Sequence, residues 1–208
     1  MEKKDAVILA AGTFPTSPQA LACLDNATFL CCCDSAVLQL MDYGRMPDAV
    51  VGDGDSLSPE QISQLGELYH HVTEQEYNDL TKATRYCKSL GYTDITYLGC
   101  TGKREDHTLG NISLMDFYRR EMGINATMVT DSGTFTTHHG DVTMPSFPRQ
   151  QVSIFNLSCR NLSSERLKWP AYAYTQLWQG TLNEALADAF TIHADGDYML
   201  YLTHEEKK

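Results

Sequence analysis

The chain has 208 residues, 42% hydrophobic, 10% aromatic and 21% charged. This is the composition of one large or two small globular domains with a real core, and it excludes disordered and fibrous classes. Sixteen Lys and Arg against 27 Asp and Glu give a formal net charge of −11, which argues against nucleic acid or an anionic membrane as the main partner, since both require a basic footprint.

No run approaches the ~20 apolar residues of a membrane span. The first apolar run, after Met1–Asp5, is strand-length and no signal-like cleavage pattern follows it. Up to about residue 130 short apolar runs alternate with helical patterns. Strands are predicted over Ala6–Ala11, Thr28–Cys33, Asp48–Val51, Leu68–Val72, Ile95–Leu98 and Ala126–Thr130. Asp34 opens a helix with Ala36, Val37, Leu40 and Met41 inward and Gly44 at its end. Ser58-Pro59-Glu60-Gln61 is a capping box with Pro at the first helical position, closed by Gly66. Asn78 precedes a helix whose apolar positions are Leu80, Ala83, Cys87 and Leu90, stopped by Gly91. Leu109, Ile112 and Met115 mark the inner face of a last helix that ends at Gly123. Strand–helix alternation with short links predicts right-handed βαβ units and a mostly parallel, doubly wound sheet over residues 1–130.

From 131 to 208 the pattern changes to short β-branched or aromatic runs: Phe135–His138, Val152–Leu157, Ala171–Leu177, Phe190–His193 and Tyr198–Leu202, separated by Pro, Gly, Asn and Asp. These predict an antiparallel β domain, a small sandwich or barrel. Seven cysteines include the adjacent Cys31-Cys32-Cys33. Neighbours on a strand point to opposite faces, so we read them as reduced, buried residues of a cytoplasmic protein. No Cys or His pairing has zinc spacing, and no nucleophile elbow is present.

Ligands of an open parallel sheet bind beyond the carboxyl ends of its strands. Asp34 follows the second strand, Gly52-Asp53-Gly54-Asp55-Ser56 the third, Glu74–Asp79 the fourth, and Gly99-Cys100-Thr101-Gly102-Lys103-Arg104-Glu105-Asp106-His107 the fifth. Four loops thus deliver carboxylates to one edge, together with Arg104 and Lys82. Asp53 and Asp55 at i, i+2 suit Mg²⁺, which takes one or two carboxylates plus substrate oxygens. The same Gly-Asp-Gly-Asp run is also good turn chemistry. Asp79 and Lys82 share a helix face, and an acid at the dipole with a solvated lysine reads equally well. The Gly99–Gly102 loop offers backbone N–H groups to phosphate and is otherwise a plain turn; it is not a Walker loop.

Taken together the loops resemble thiamine pyrophosphokinases. Gly52-Asp53-Gly54-Asp55-Ser56 is similar to the family's Gly-Asp-x-Asp-Ser motif; Gln75, Asp79 and Lys82 match Gln-x-x-x-Asp-x-x-Lys. Gly99, Gly102, Arg104, Asp106 and His107 match Gly-x-x-Gly-x-Arg-x-Asp-His, with Asn111 following. The family's Asp-Gly-Gly-Ala is Asp34-Ser35-Ala36 here, and its Gly-Thr-Ser-Asn-Glu is Gly180-Thr181-Leu182-Asn183-Glu184, in which Leu182 removes a hydroxyl. Leu167-Lys168-Trp169-Pro170 resembles a further family segment, and we read its Trp as core.

The resemblance implies Mg²⁺-dependent transfer of the ATP diphosphoryl group to thiamine, releasing AMP. It implies an ATP- and Mg²⁺-binding α/β domain, an antiparallel domain that binds thiamine, and a homodimer with thiamine at the interface. The implied metal ligands are Asp53, Asp55 and Asp79. The implied catalytic residues are Asp55, Asp79, Lys82, Arg104 and Asp106. Asp34, Gln75, Gly99, Gly102, Arg104, His107 and Asn111 would face the nucleotide, and Asp53, Asp106, Thr181 and Asn183 the acceptor. The alternatives are the same chemistry on another hydroxymethyl heterocycle such as a pterin, or a nucleotide-binding sensor without turnover.

Overall fold

The computed structural model describes residues 4–206, and the chain divides after Thr130 into two compact units. In the first, six strands run β1 (Asp5–Leu9), β2 (Leu30–Cys33), β3 (Ala49–Gly52), β4 (Tyr69–His71), β5 (Asp94–Leu98) and β6 (Asn125–Val129). Their order is β6-β5-β1-β2-β3-β4, all parallel. The central strands are buried on both faces, which is why they read as continuous apolar runs rather than alternating ones.

Helices cover both faces. Val7, Leu9, Leu30, Cys32, Val50 and Leu98 pack with α1 (Pro18–Asp25) and α2 (Ala36–Asp42). Residues of opposite parity meet α4 (Asp79–Ser89) and α5 (Glu105–Met122): the Tyr97 hydroxyl lies 3.1 Å from Thr84 Oγ1, and Tyr118 2.8 Å from Thr81 Oγ1. Between them in sequence, α3 (Pro59–Leu65) starts at the expected capping box: Ser58 Oγ accepts from Gln61 N and Gln61 Oε1 from Ser58 N. Gly123 ends α5 in the left-handed conformation at φ 65°.

Three side chains expected inward are exposed. Met41 is in the last turn of α2, at the margin of its apolar stripe; Leu90 is the C-cap of α4; Leu109 lies in the first turns of α5, the end at the cleft. Helix α1 carried no prediction, although Ser17 caps it and Pro18 opens it. All seven cysteines are free and six are buried; burial pushes the Cys32 and Cys100 thiols up to about 12. Among the described residues no helix is long and apolar enough to cross a membrane.

The second unit contains two antiparallel sheets. One has the order β11-β9-β13-β7, from β7 (Gly133–His139), β9 (Gln150–Asn156), β11 (Asn183–Glu184) and β13 (Asp197–Glu206). The other has the order β10-β12-β8, from β8 (Val142–Pro145), β10 (Leu162–Glu165) and β12 (Ala189–Ala194). Val152, Ile154 and Leu200 of the first and Leu162, Phe190 and Ile192 of the second share one core, a sandwich. The predicted strand over Ala171–Leu177 is absent. Pro170 precedes it, Tyr174 N bonds to Tyr172 O, and Gln179 Oε1 accepts from Thr175 N and Gln176 N, so local contacts take the donors a ladder would need. A short 3₁₀ turn, Leu177–Gly180, follows. Trp169 is not core either: it is 48% exposed, with the Lys168 ammonium 4.9 Å from its ring.

On the middle strand of the three-stranded sheet, His193 Nδ1 lies 2.8 Å from Asp141 and Nε2 3.2 Å from Glu165. Hydrogen bonds to Asp141 and then Glu165 raise the His193 pKa. A raised group adds stability that is fully present below its unfolded value, about 6.5, and is lost as pH climbs through the folded one. We therefore expect a melting-temperature gap between wild type and His193→Gln in mildly acid solution that closes as the pH is raised; a gap constant with pH would contradict it.

Candidate active site

The carboxyl ends of β1 to β5 open onto a cleft of about 630 Å³, a size that takes a small-molecule ligand. Its walls include Ala10–Gly12 after β1, Cys33–Ser35 after β2, Asp53 and Ser56 after β3, Gln75–Asn78 before α4, and Cys100–Thr101 with Lys103–Arg104 after β5. Asp79, Lys82, His107 and Asn111 enter from α4 and α5.

A carboxylate cluster stands at the cleft, two of its members lining it. Asp34, Asp53 and Asp55 each bring one oxygen within 4.8 Å of the others. Asp34 follows β2 in a left-handed conformation, φ 39°, and is buried. Its Oδ2 accepts from Ser56 N, while Oδ1 is buried without a protein hydrogen-bond partner. Burial raises its pKa; the Ser56 bonds oppose that, and the charges of Asp79 and Asp55 add to it. Gly52 is required beside it, because a Cβ there would come 2.7 Å from Asp34 Cβ.

Asp53 is held from two sides. Its Oδ2 accepts from Lys82 Nζ at 3.0 Å and from Gln75 Nε2 at 2.9 Å. These two bonds, Lys82 first, bring the carboxyl down to about 2. Lys82 also reaches Asp79 Oδ1 at 3.1 Å. A solvated lysine is ruled out: the side chain is 3% exposed. Burial works against its charge, but the Asp53 and Asp79 bonds outweigh it and the ammonium pKa is raised. Asp55, more exposed, accepts from the Ser56 hydroxyl at 2.9 Å.

On the opposite loop Arg104 forks onto Asp106, Nε to Oδ1 at 3.1 Å and Nη2 to Oδ2 at 2.5 Å. The pair is exposed, and the fork lowers the Asp106 carboxyl. Asn111 Nδ2 donates to Cys100 O at 2.9 Å, pinning the loop, and Asn78 Nδ2 donates to Asn111 Oδ1 at 3.2 Å. Gly99 and Gly102 bend the loop at φ 65° and 89°. Asp55, Gly99, Gly102 and Asp106 adjoin the cleft without lining it.

The motif residues of the first unit therefore converge, with one change of grouping. The tight oxygen cluster is Asp34, Asp53 and Asp55, while Asp79 joins through Lys82. Sequence reasoning missed the Ala10–Gly12 wall and Lys103. The strand-end rule applied to β1, which sits mid-sheet, would have found the first; Lys103 stands in the β5 loop, between the motif residues Gly102 and Arg104.

Thr181 and Asn183 belong to the second unit. Thr181 Oγ1 donates to Trp178 O. Asn183 is buried: its Nδ2 donates to Trp169 O at 2.7 Å and its Oδ1 accepts from Trp169 N and Glu184 N. That amide clamps a loop and is committed to backbone. Leu182 between them is exposed with φ 65°, an unusual backbone for a branched residue. On β13, Tyr198 is fully buried and Tyr201 packs on Phe135 at 4.4 Å.

Residues 20–126, just over half the chain, match the family model of the thiamin pyrophosphokinase catalytic domain. The chain belongs to the thiamin pyrophosphokinase family. Residues 133–201 match the family's substrate-binding domain. A curated relative, thiamine pyrophosphokinase of Bacillus subtilis (strain 168), is 29% identical over 112 residues, 52% of each chain, so the match spans about half of that protein. The crystal structure of thiamine pyrophosphokinase from Bacillus subtilis superposes with a TM-score of 0.81 at 20% identity, covering 96% of this chain and 99% of that one. That of Geobacillus thermodenitrificans gives 0.78 at 21%, covering 97% and 98%. These likenesses carry the fold: a thiamin pyrophosphokinase family member with an α/β unit and an antiparallel β unit.

Gly52→Ala should push Asp34 aside, costing about 1–3 kcal/mol of stability, the usual range for overpacking a dense site. Urea unfolding of the first unit measures it; an unchanged midpoint would mean that Asp34 has room to move.

Proposed function

We propose that the protein transfers the diphosphoryl group of ATP to the hydroxyl of thiamine, giving thiamine diphosphate and AMP. The observation that carries this reading is the Asp34, Asp53 and Asp55 cluster set against the buried Lys82 in one cleft. Family membership supplies the reaction.

The residues fit Mg²⁺. Three carboxylate oxygens lie close together, and a buried Asp34 oxygen lacks a protein donor, which a hard cation would satisfy. Asp34, Asp53 and Asp55 would hold the ion, and Asp79 fixes Lys82 through its Oδ1. When bound, Mg²⁺ neutralises charge on the phosphate tail. Lys82 has two of its three N–H groups fixed by Asp53 and Asp79, leaving one for a phosphoryl oxygen without reorganisation. Arg104 has donors beyond the two that Asp106 takes, and they suit the departing AMP phosphate. The thiamine oxygen bonds to the β-phosphorus, the bond from that phosphorus to the AMP oxygen breaks, and the hydroxyl proton passes to water, with Asp106 orienting the hydroxyl. Gln75 holds Asp53 in place; Gly99, Gly102, His107 and Asn111 shape the nucleotide wall.

The acceptor belongs to the second unit on this reading, with Thr181 beside it and Asn183 as the clamp of its loop. That unit exposes Trp169, Tyr172, Leu177, Trp178, Leu182 and Leu186 along one stretch of chain. Such a run supports rings that meet thiamine and a face that meets a second copy, a homodimer. Free, buried thiols support a reducing compartment, the cytoplasm.

AMP release from ATP, measured with thiamine and separately with a pterin alcohol, tests the reaction. AMP with thiamine is expected; AMP with the pterin alone would change the acceptor, and AMP with neither would leave a nucleotide-binding sensor. Asp55→Asn should lower turnover by about a hundredfold or more at limiting Mg²⁺ with the fold intact, in the range seen when one transition-state charge contact is removed. Near-normal turnover would sink the metal assignment.

A further inference from the structure

Three cations face the cleft: Lys82, Lys103 and Arg104. Lys82 is held between Asp53 and Asp79, and Arg104 forks onto Asp106. Among the described residues that line the cleft, Lys103 is the cation whose ammonium meets no carboxylate; Nζ donates to the neutral carbonyl of Ala11 at 2.7 Å. The motif Gly-x-x-Gly-x-Arg-x-Asp-His leaves this position open, so no role comes to Lys103 from the resemblance.

Its surroundings are built rather than loose. The loop after β1 and the loop after β5 are joined by backbone bonds, Gly12 N to Gly99 O at 2.7 Å and Thr13 N to Thr101 O at 2.8 Å. Gly12 permits that approach, since a Cβ there would collide with the carbonyls of Gly99 and Thr101. Lys103 therefore leaves a fixed backbone, and its long side chain crosses from one cleft wall to the other. Asp34, Asp53, Asp79 and Glu76 make the rest of the lining acidic. An exposed ammonium in such a cleft would be expected to drift onto a carboxylate, yet it is parked on a carbonyl, a weaker acceptor than an anion.

We propose that Lys103 is a phosphate-binding residue of the cleft, which exchanges the Ala11 carbonyl for an oxygen of the nucleotide's phosphate tail when ATP binds. The proposal rests on the ATP-dependent reading above and adds a contact outside the family motif. Lys82 and Arg104 bring positive charge already balanced by their own carboxylates. Lys103 brings charge that is not locally balanced, so it sets the affinity for the phosphate tail more than the chemistry at the β-phosphorus.

The test is equilibrium binding by calorimetry on the full chain with Mg²⁺ and no acceptor, comparing ATP with adenosine for wild type, Lys103→Met and Lys103→Arg. Lys103→Met should weaken ATP by about tenfold, the value of one charge-assisted contact, leave adenosine unchanged, and keep the melting temperature. Lys103→Arg should recover most of the ATP affinity. Equal ATP affinities in wild type and Lys103→Met would overturn the role. So would an equal loss for ATP and adenosine, because that is the signature of a clasp between the two loops. Wild type binding neither compound would remove the ATP-dependent reading itself, and this contact with it.

Discussion

The ammonium of Lys82 is the interaction on which the cleft depends. It ties the end of β3, through Asp53, to the first turn of α4, through Asp79. Placing a lysine where it is almost fully covered costs desolvation that only well-placed anions repay. Two carboxylates do so here, and a third side chain, Gln75, takes up Asp53's remaining freedom. The same charge keeps Asp53 ionised beside two other acids, which would otherwise repel it. An acidic cluster this dense persists in the folded chain because a cation is built into its base.

Much of this was readable from residues alone. All six strands predicted for the first unit are found, and the central ones read as apolar runs because a parallel sheet covered on both faces leaves no polar interruptions. The capping box at Ser58 and the glycine stops were equally legible, since cap chemistry is local. The convergence of Asp34, Asp53, Asp79, Lys82 and Arg104 followed from one topological rule about strand ends. The regrouping was not legible. Which three of the four acids bring their oxygens together, and which two meet Lys82, depends on the left-handed turn at Asp34 and on Gly52 beneath it, and neither leaves a periodic trace.

The second unit was read less well, and for a physical reason. Its aromatic and aliphatic residues at 171–177 have the composition of a strand, but side-chain amides from Gln179 and Asn156 take the backbone groups that would build one. Trp169 looked like core by type and is held outward by the Asn183 clamp on its own backbone. Amide contacts of this sort, local and long-range, override propensity, and they leave a surface of rings where a packed interior was expected.

Asn78 carries a consequence for how the cleft can move. Its side-chain oxygen caps α4 by accepting from Thr81 N, and its amide nitrogen reaches Asn111 on α5, which in turn grips Cys100 O. Aspartate would cap the helix but could not donate onward, and a serine or threonine hydroxyl has a single oxygen for both bonds, whereas the amide accepts and donates from two separate atoms. The two helices are therefore coupled through a chain of three polar contacts at their cleft ends. Any tilt of α5 that opens the glycine loop pulls on the start of α4, with Asp79 and Lys82 on it, so the two walls of the cleft are geared to shift in concert.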